Sequence, residues 1–140
     1  MAITAAICNS FKSEILAMTP HTASDTYKIA LYTSSATLSK STTAYSATNE
    51  VSGAGYSAGG ATLSGFSVTT DGDTAILDWT SDPTWAAATI TARGAVIYNS
   101  TRSNKAVAVL DFGSDFTSTA ATFTVQLPAP AASTGTVRIG

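Results

Sequence analysis

Apolar residues along this chain cluster most densely between residues 93 and 112, in the run RGAVIYNSTRSNKAVAVLDF. Ala95-Val96-Ile97-Tyr98 and Ala106-Val107-Ala108-Val109-Leu110 flank a segment of turn formers running from Asn99 to Asn104, a pattern that predicts a β-hairpin. Both arms are almost continuously apolar. A strand apolar on both faces has to be covered on both sides, so this hairpin is expected at the centre, with the other strands and one helix packed around it.

Upstream, Ile3, Ile7, Phe11, Ile15 and Met18 recur at spacings of three and four, while Asn9, Lys12, Ser13 and Glu14 lie off that line. The spacing predicts an amphipathic helix over residues 3–18, ended by Pro20 and packed on its own sheet. YKIALYT, residues 27–33, alternates as a first strand with Tyr27, Ile29 and Leu31 on one face. From 34 to 60 the pattern dissolves into Ser, Thr, Ala and Gly, and the stretch exceeds the roughly 12 to 15 residues beyond which a structureless connection is unusual. This segment is the expected functional surface, with Tyr45, Val51 and Tyr56 as the apolar area that anchors it on something.

Alternation resumes at Ala61. Residues 61–70 and 74–80 are predicted to pair around Asp71-Gly72-Asp73, with Ala75, Leu77 and Trp79 on one face. Residues 87–99 form one long strand in which Gly94 marks a bulge or bend, and the hairpin returns through residues 105–112. Phe123, Val125 and Leu127 alternate in a further strand ended by Pro128 and Pro130, and residues 136–139 close the chain with Val137 and Ile139 inward and Arg138 outward. The whole reads as one domain over residues 1–140: a mainly β, antiparallel β-sandwich of seven or eight strands with an N-terminal amphipathic helix. Immunoglobulin-like and jelly-roll-like connectivities both stay open. No internal repeat of the propeller or solenoid kind is present.

Composition changes this picture in one respect. Charged residues make up 11% of the chain, under half of the roughly 25% usual for a soluble domain, and Ser, Thr and Ala take their place. So little like-charge repulsion suits a homo-oligomer or a lattice. Seven Lys+Arg scattered along a chain of net charge −2 form no basic face, so nucleic acid is not an expected partner. No apolar run approaches a membrane span, no basic n-region precedes an apolar core, and the single cysteine forms no internal disulfide, so synthesis and folding in the cytoplasm are expected.

The inventory for chemistry is thin: one His, one Cys and nine acidic residues. His21, beside Pro20, reads as an exposed loop histidine, and Cys8 as a small buried thiol with no cationic neighbour to activate it. Asp71-Gly72-Asp73 lacks the further oxygens of a calcium loop, so neither a metal site nor any other cofactor is expected. Gly53-Ala54-Gly55-Tyr56-Ser57-Ala58 satisfies G-x-G-x-x-A, but strand-like residues follow it where a dinucleotide site needs a helix. Asn99-Ser100-Thr101 is a glycosylation sequon that a cytoplasmic product would not use. Trp79 reads as core. Trp85, after the Asp82-Pro83 turn, is either core or part of a sugar-stacking platform with Tyr45 and Tyr56.

AICNSFKSEIL (6–16), YKIALYTSSATL (27–38), NEVSGAGYSAGG (49–60), TARGAVIYNS (91–100) and AVAVLDFGSD (106–115) together resemble a family of small structural proteins of tailed bacteriophages, especially phages of aquatic bacteria and cyanobacteria. The likeness runs across nearly the whole chain. It implies a virion component made in the host cytoplasm, without catalytic residues to transfer, whose partners are other virion proteins. The leading expectation is a non-enzymatic capsid decoration or cement protein that clamps major capsid subunits through residues 34–60 and the N-terminal helix. Phe11, Tyr45, Val51, Tyr56 and Trp85 are the candidate contact residues. A tail, neck or baseplate component, or a glycan-binding receptor module, are the alternatives.

Overall fold

A computed structural model describes residues 2–128, 131 and 133–139. Its eight strands and one helix run in the order β1 (Ala6–Ile7), α1 (Asn9–Leu16), β2 (Tyr27–Tyr32), β3 (Ala61–Thr62), β4 (Phe66–Asp71), β5 (Thr74–Trp79), β6 (Thr84–Asn99), β7 (Lys105–Thr124) and β8 (Val137–Ile139). The strands form two antiparallel sheets, one of order β1-β7-β6-β2-β3 and one of order β4-β5-β8.

The β6–β7 hairpin is central, as its two apolar arms require. Residues 94–99 and 106–109 are buried, β2 pairs along one side of β6, and the short β1 pairs with Val109 and Ala108 on the far side of β7. The pairing shifts register between Ala92 and Gly94, where the glycine was expected to mark a bulge; a Cβ there would press on the Leu110 carbonyl and on Ile3. β7 is longer than expected. It continues through Phe123 along β6, so the separate strand expected around Phe123–Val125 is its far end, with Val125 N–H donating to the Pro83 carbonyl. Of the two prolines expected to end it, Pro130 lies outside the described residues.

Each face of the large sheet has its own cover. Tyr27, Ile29 and Leu31 share a face with Asn99, Ile97 and Ala95. On that side Tyr27 stacks on Phe66 at 5.2 Å and meets Trp79 at 5.4 Å, which docks the small sheet, and Phe11 of α1 sits edge-on to His21 at 4.9 Å. Ala30, Tyr32, Val96 and Tyr98 point the other way. There Tyr45 stacks on Tyr98 at 4.7 Å, so residues 34–60 form the second cover.

Several expectations are corrected. Residues 3–7 are extended, not helical: Ile3 bridges to Leu38, Ala6–Ile7 pair with β7, and Cys8 N–H donates to the Val107 carbonyl. Ile3, Thr4 and Ile7 are β-branched, and the open edge of β7 offers their backbone partners that an isolated helical turn lacks. The helix ends at Leu16, and Met18, at φ 57°, is exposed and off the apolar line. Residues 61–70 are not one strand. β3 pairs with β2, the chain turns at Gly65, and only Phe66–Asp71 pairs with β5, around Gly72-Asp73. In β8 Val137 is inward as expected, but Ile139, at the strand's end, is 59% exposed.

Cys8 is fully buried at the start of α1, and burial, only partly opposed by Lys12, pushes its thiol up to about 11. A thiol reagent at pH near 8 is therefore expected to leave the native protein unlabelled and to label it stoichiometrically in denaturant. Fast labelling of native protein would mean that the β1–α1 junction is open.

Candidate functional surfaces

Residues 34–60 contain no strand, yet side-chain hydroxyls hold them on the sheet. Their organiser is Glu50. Its carboxylate accepts from the Tyr45 hydroxyl at 2.6 Å, the Tyr56 hydroxyl at 2.7 Å and the Gly59 N–H at 2.8 Å. The Tyr56 oxygen in turn accepts from the Leu31 N–H, while Val51 N–H donates to the Leu31 carbonyl, so this segment satisfies the outer edge of β2 where β3 has ended. Tyr98 donates to the Gly59 carbonyl and Tyr32 to the Ser46 carbonyl. Gly60, at φ 79°, lies so close to β2 that a Cβ would overlap the Ile29 carbonyl. Burial, and then the Glu50 carboxylate, push the hydroxyls of Tyr45 and Tyr56 well above the ordinary tyrosine range.

A second polar network lies at the turn of the central hairpin. Asn99, fully buried, donates its amide N–H groups to Asp25 at 2.9 Å and to Nδ1 of His21 at 3.2 Å, and its oxygen accepts from the Thr101 and Arg102 N–H groups. That leaves Nε2 of His21 to donate to Glu14 at 3.1 Å, and Glu14 also accepts from Lys105 at 2.7 Å. Helix, connection and hairpin turn are thus bolted together. Hydrogen bonding from Arg102, outweighing burial and joined by Asn99 and Thr22, holds the Asp25 carboxyl far below the usual carboxylate range. For Glu14 burial works upward, but Lys105 and His21 more than offset it, and the net shift is downward. His21 is consequently not the exposed loop residue its sequence position suggested: its side chain is 1% exposed. The sequon is closed as well, since Asn99 is 0% exposed.

The five candidate contact residues divide by placement. Phe11, Val51 and Trp85 are buried, and Tyr45 and Tyr56 are half-buried with their hydroxyls on Glu50. Tyr45, Val51 and Tyr56 come together on segment 34–60. Trp85 joins them through Tyr56, at 5.8 Å, and rests on Phe123 at 6.2 Å, whereas Phe11 lies on the opposite side with α1. All five face the body of the chain. The aromatics anchor the segment on the sheet, and no flat aromatic platform stands open among them.

The large exposed apolar side chains lie elsewhere: Leu16, Met18, Val68, Phe116 and Ile139. Phe116 flanks Phe112 and Phe123 in a shallow groove along β7. Leu16 and Ile139 flank a groove of about 420 Å³ between α1 and β8, which runs on past Phe11, Ile15 and Val137 toward Val68 on β4. Sequence reasoning missed this seam because Leu16 and Ile139 each sit in an element whose pattern places apolar residues inward. The one available signal was Leu16 itself, five residues from Phe11 and off the 3–4 spacing.

Chemically, these surfaces offer contact. Glu14, Asp25, Glu50 and Asp78 each accept two or more hydrogen bonds from the scaffold, Asp78 those of the Thr136 hydroxyl and the Trp79 N–H among them. Among the described residues no three His, Cys, Asp or Glu side chains group as a metal would need, and no helix is long and apolar enough to cross a membrane. The G-x-G-x-x-A stretch bends against β6 at Ala86–Thr89 and leads into β3, with no helix after it. In comparison with known proteins, the chain matches no family model, no curated protein and no solved structure.

Replacing Glu50 by Gln leaves one carbonyl oxygen for three donors, so Glu50→Gln is expected to lower unfolding free energy by about 1–3 kcal/mol in denaturant titration. An unchanged midpoint would mean that the carboxylate does not organise the segment. Because the folded state lowers the pKa of Asp25 and Glu14, their stabilisation is present above the ordinary carboxylate pKa and is lost as pH falls through it toward the lower native values. Denaturant midpoints should fall between about pH 5 and about pH 2, and Asp25→Asn should flatten that dependence. A variant with the wild-type pH slope would remove Asp25 from this role.

Proposed function

We propose that this chain is a non-enzymatic structural component of a bacteriophage virion, a capsid decoration or cement protein that stabilises contacts between major capsid subunits. The observation that carries the reading is an inversion of the usual economy of side chains. Four of the nine acidic side chains, Glu14, Asp25, Glu50 and Asp78, are held by the scaffold, while Leu16, Met18, Val68, Phe116 and Ile139 stand 51–89% exposed. Large apolar side chains left in water are what a protein–protein contact uses, and carboxylates saturated by fixed donors are poorly placed to exchange protons with a substrate.

Three further features support it. The stretches that resemble small phage structural proteins, residues 6–16, 27–38, 49–60, 91–100 and 106–115, fall on β1, α1, β2, segment 34–60 and the centre of the β6–β7 hairpin. The low charge density tolerates dense packing of copies. The rigid fastening of segment 34–60 gives a partner a preformed surface, which lowers the ordering cost of binding. In this reading the exposed apolar patches and the outer side of segment 34–60 meet capsid subunits over roughly 1,000 Å² or more in total. A ring component of the tail, neck or baseplate would use the same surfaces in a different copy number.

Capsids lacking the chain are expected to break open at a lower temperature than complete ones, and adding purified protein back should restore resistance. Equal heat resistance with and without it would contradict a cement role. Quantifying copies per particle separates the positions: a ring component would give about six or twelve, a decoration protein many more.

A further inference from the structure

We propose that the outer edge of β4 is a pairing site, at which a second copy of this chain adds its own β4 antiparallel to the first and joins the two small sheets into one. An open strand edge is a row of backbone N–H and carbonyl groups that another strand can bond. Among the described residues β4 is the strand that leaves a regular one. β1, β3 and β8 are two or three residues long, and β6 and β7 are interrupted by register shifts, with positive φ in β7 at Gly113 (81°) and Ala120 (47°). β4 pairs with β5 from Phe66 to Asp71 without a shift, and no strand pairs on its other side. Val68, Thr69 and Thr70 are exposed there.

The hairpin fixes which backbone groups face outward. Gly72, at φ 60°, begins a two-residue turn, so Asp71 and Thr74 close the ladder, and the Thr80 N–H donating to the Gly65 carbonyl keeps the same phase at the far end. Gly65, Ser67, Thr69 and Asp71 therefore turn their backbone groups to β5. Those of Phe66, Val68 and Thr70 point away from it, with no partner among the described residues. Edges of this kind are ordinarily blunted by Lys, Pro or a bulge, and residues 66–71, FSVTTD, have none of these.

A second copy is the occupant because the edge is complementary to itself. A two-fold axis at Val68 sets Val68 against Val68 of the second copy and Phe66 against Thr70, so each outward N–H meets an outward carbonyl, with about six hydrogen bonds in all. On one face the two Val68 side chains, each 64% exposed in the single chain, cover each other. On the other face Ser67 lies beside Thr69 of the second copy as a hydroxyl pair. Asp71 falls opposite Gly65, so no like charges meet along the pairing. An unrelated strand would match the backbone groups alone, whereas the copy also matches side chain to side chain. Nothing in this pairing draws on the virion reading, and either can fail without the other.

The test is sedimentation velocity of the full chain from about 1 μM to about 500 μM, a range that brackets micromolar association, together with residue-resolved amide hydrogen exchange at both ends of that range. Wild-type protein is expected to show a reversible monomer–dimer equilibrium, with the Phe66, Val68 and Thr70 amides exchanging more slowly as concentration rises. Val68→Pro removes the N–H at the axis while leaving the β5 ladder intact, because that N–H faces away from β5. Val68→Lys keeps every backbone group and sets two like charges side by side. Each should dimerise about tenfold more weakly, or worse, with the wild-type circular dichroism spectrum. If Val68→Pro loses that spectrum, Val68→Lys decides alone. Leu16→Glu and Phe116→Ser, on other surfaces, should leave the dissociation constant unchanged. A wild-type chain that stays monomeric throughout would overturn the proposal. So would dimers that survive the Val68 variants, dimers in which the Phe66, Val68 and Thr70 amides gain no protection, or association abolished by Leu16→Glu or Phe116→Ser.

Discussion

A hairpin that is apolar on both faces cannot be left with either face in water, and everything else in this molecule follows from covering it twice. One cover is regular. The small sheet and α1 close over the face of Tyr27, Ile97 and Asn99 through aromatic contacts and Phe11. The other is irregular, made of residues 34–60, and in place of a continuous ladder it has isolated bridges to Ile3, Tyr32 and Lys105 and scattered backbone hydrogen bonds, Val51 N–H to the Leu31 carbonyl and Ala106 N–H to the Thr43 carbonyl among them. Side-chain hydroxyls add to these. Tyr32, Tyr45, Tyr56 and Tyr98 each place a ring on the apolar sheet and a hydroxyl on a segment acceptor.

The two polar networks are therefore consequences of the two covers. Glu50 gathers the irregular layer, and the cluster of Glu14, His21, Asp25, Asn99, Arg102 and Lys105 fastens the regular one to the hairpin turn. Such networks stabilise only when nearly every member is satisfied, since an unpaired buried polar group costs about 1–3 kcal/mol. Asn99 meets this condition with all its N–H and carbonyl capacity in use. The same saturation engages Glu14, Asp25 and Glu50 with fixed donors inside the two covers.

Much of this was legible in the chain. Continuous apolarity marked the central hairpin, alternation marked β2 and β5, and Gly94 marked the register shift in β6, because each depends on local pattern. What stayed hidden depends on distant partners. Residues 3–7 carry a helical spacing but meet the open edge of β7. His21 looks like a surface residue until Asn99, far off in sequence, comes to it, and Glu50 draws in its near neighbours Tyr45 and Tyr56 only because the aperiodic segment folds back on the sheet. Trp85, poised between platform and core, was decided by Tyr56 and Phe123. The apolar seam escaped because exposure of a leucine or an isoleucine leaves no periodic trace.

Function on this account comes from surfaces that are rigid before they meet a partner, and that rigidity rests on segment 34–60 being a fixed layer. Amide hydrogen exchange of the native protein tests this most directly. Peptides covering residues 45–60 should exchange at rates comparable to those of β2, with the Gly59 and Val51 amides among the slow ones. Exchange of the whole segment at the rate of an unstructured chain, while β2 and β6 remain protected, would contradict the account.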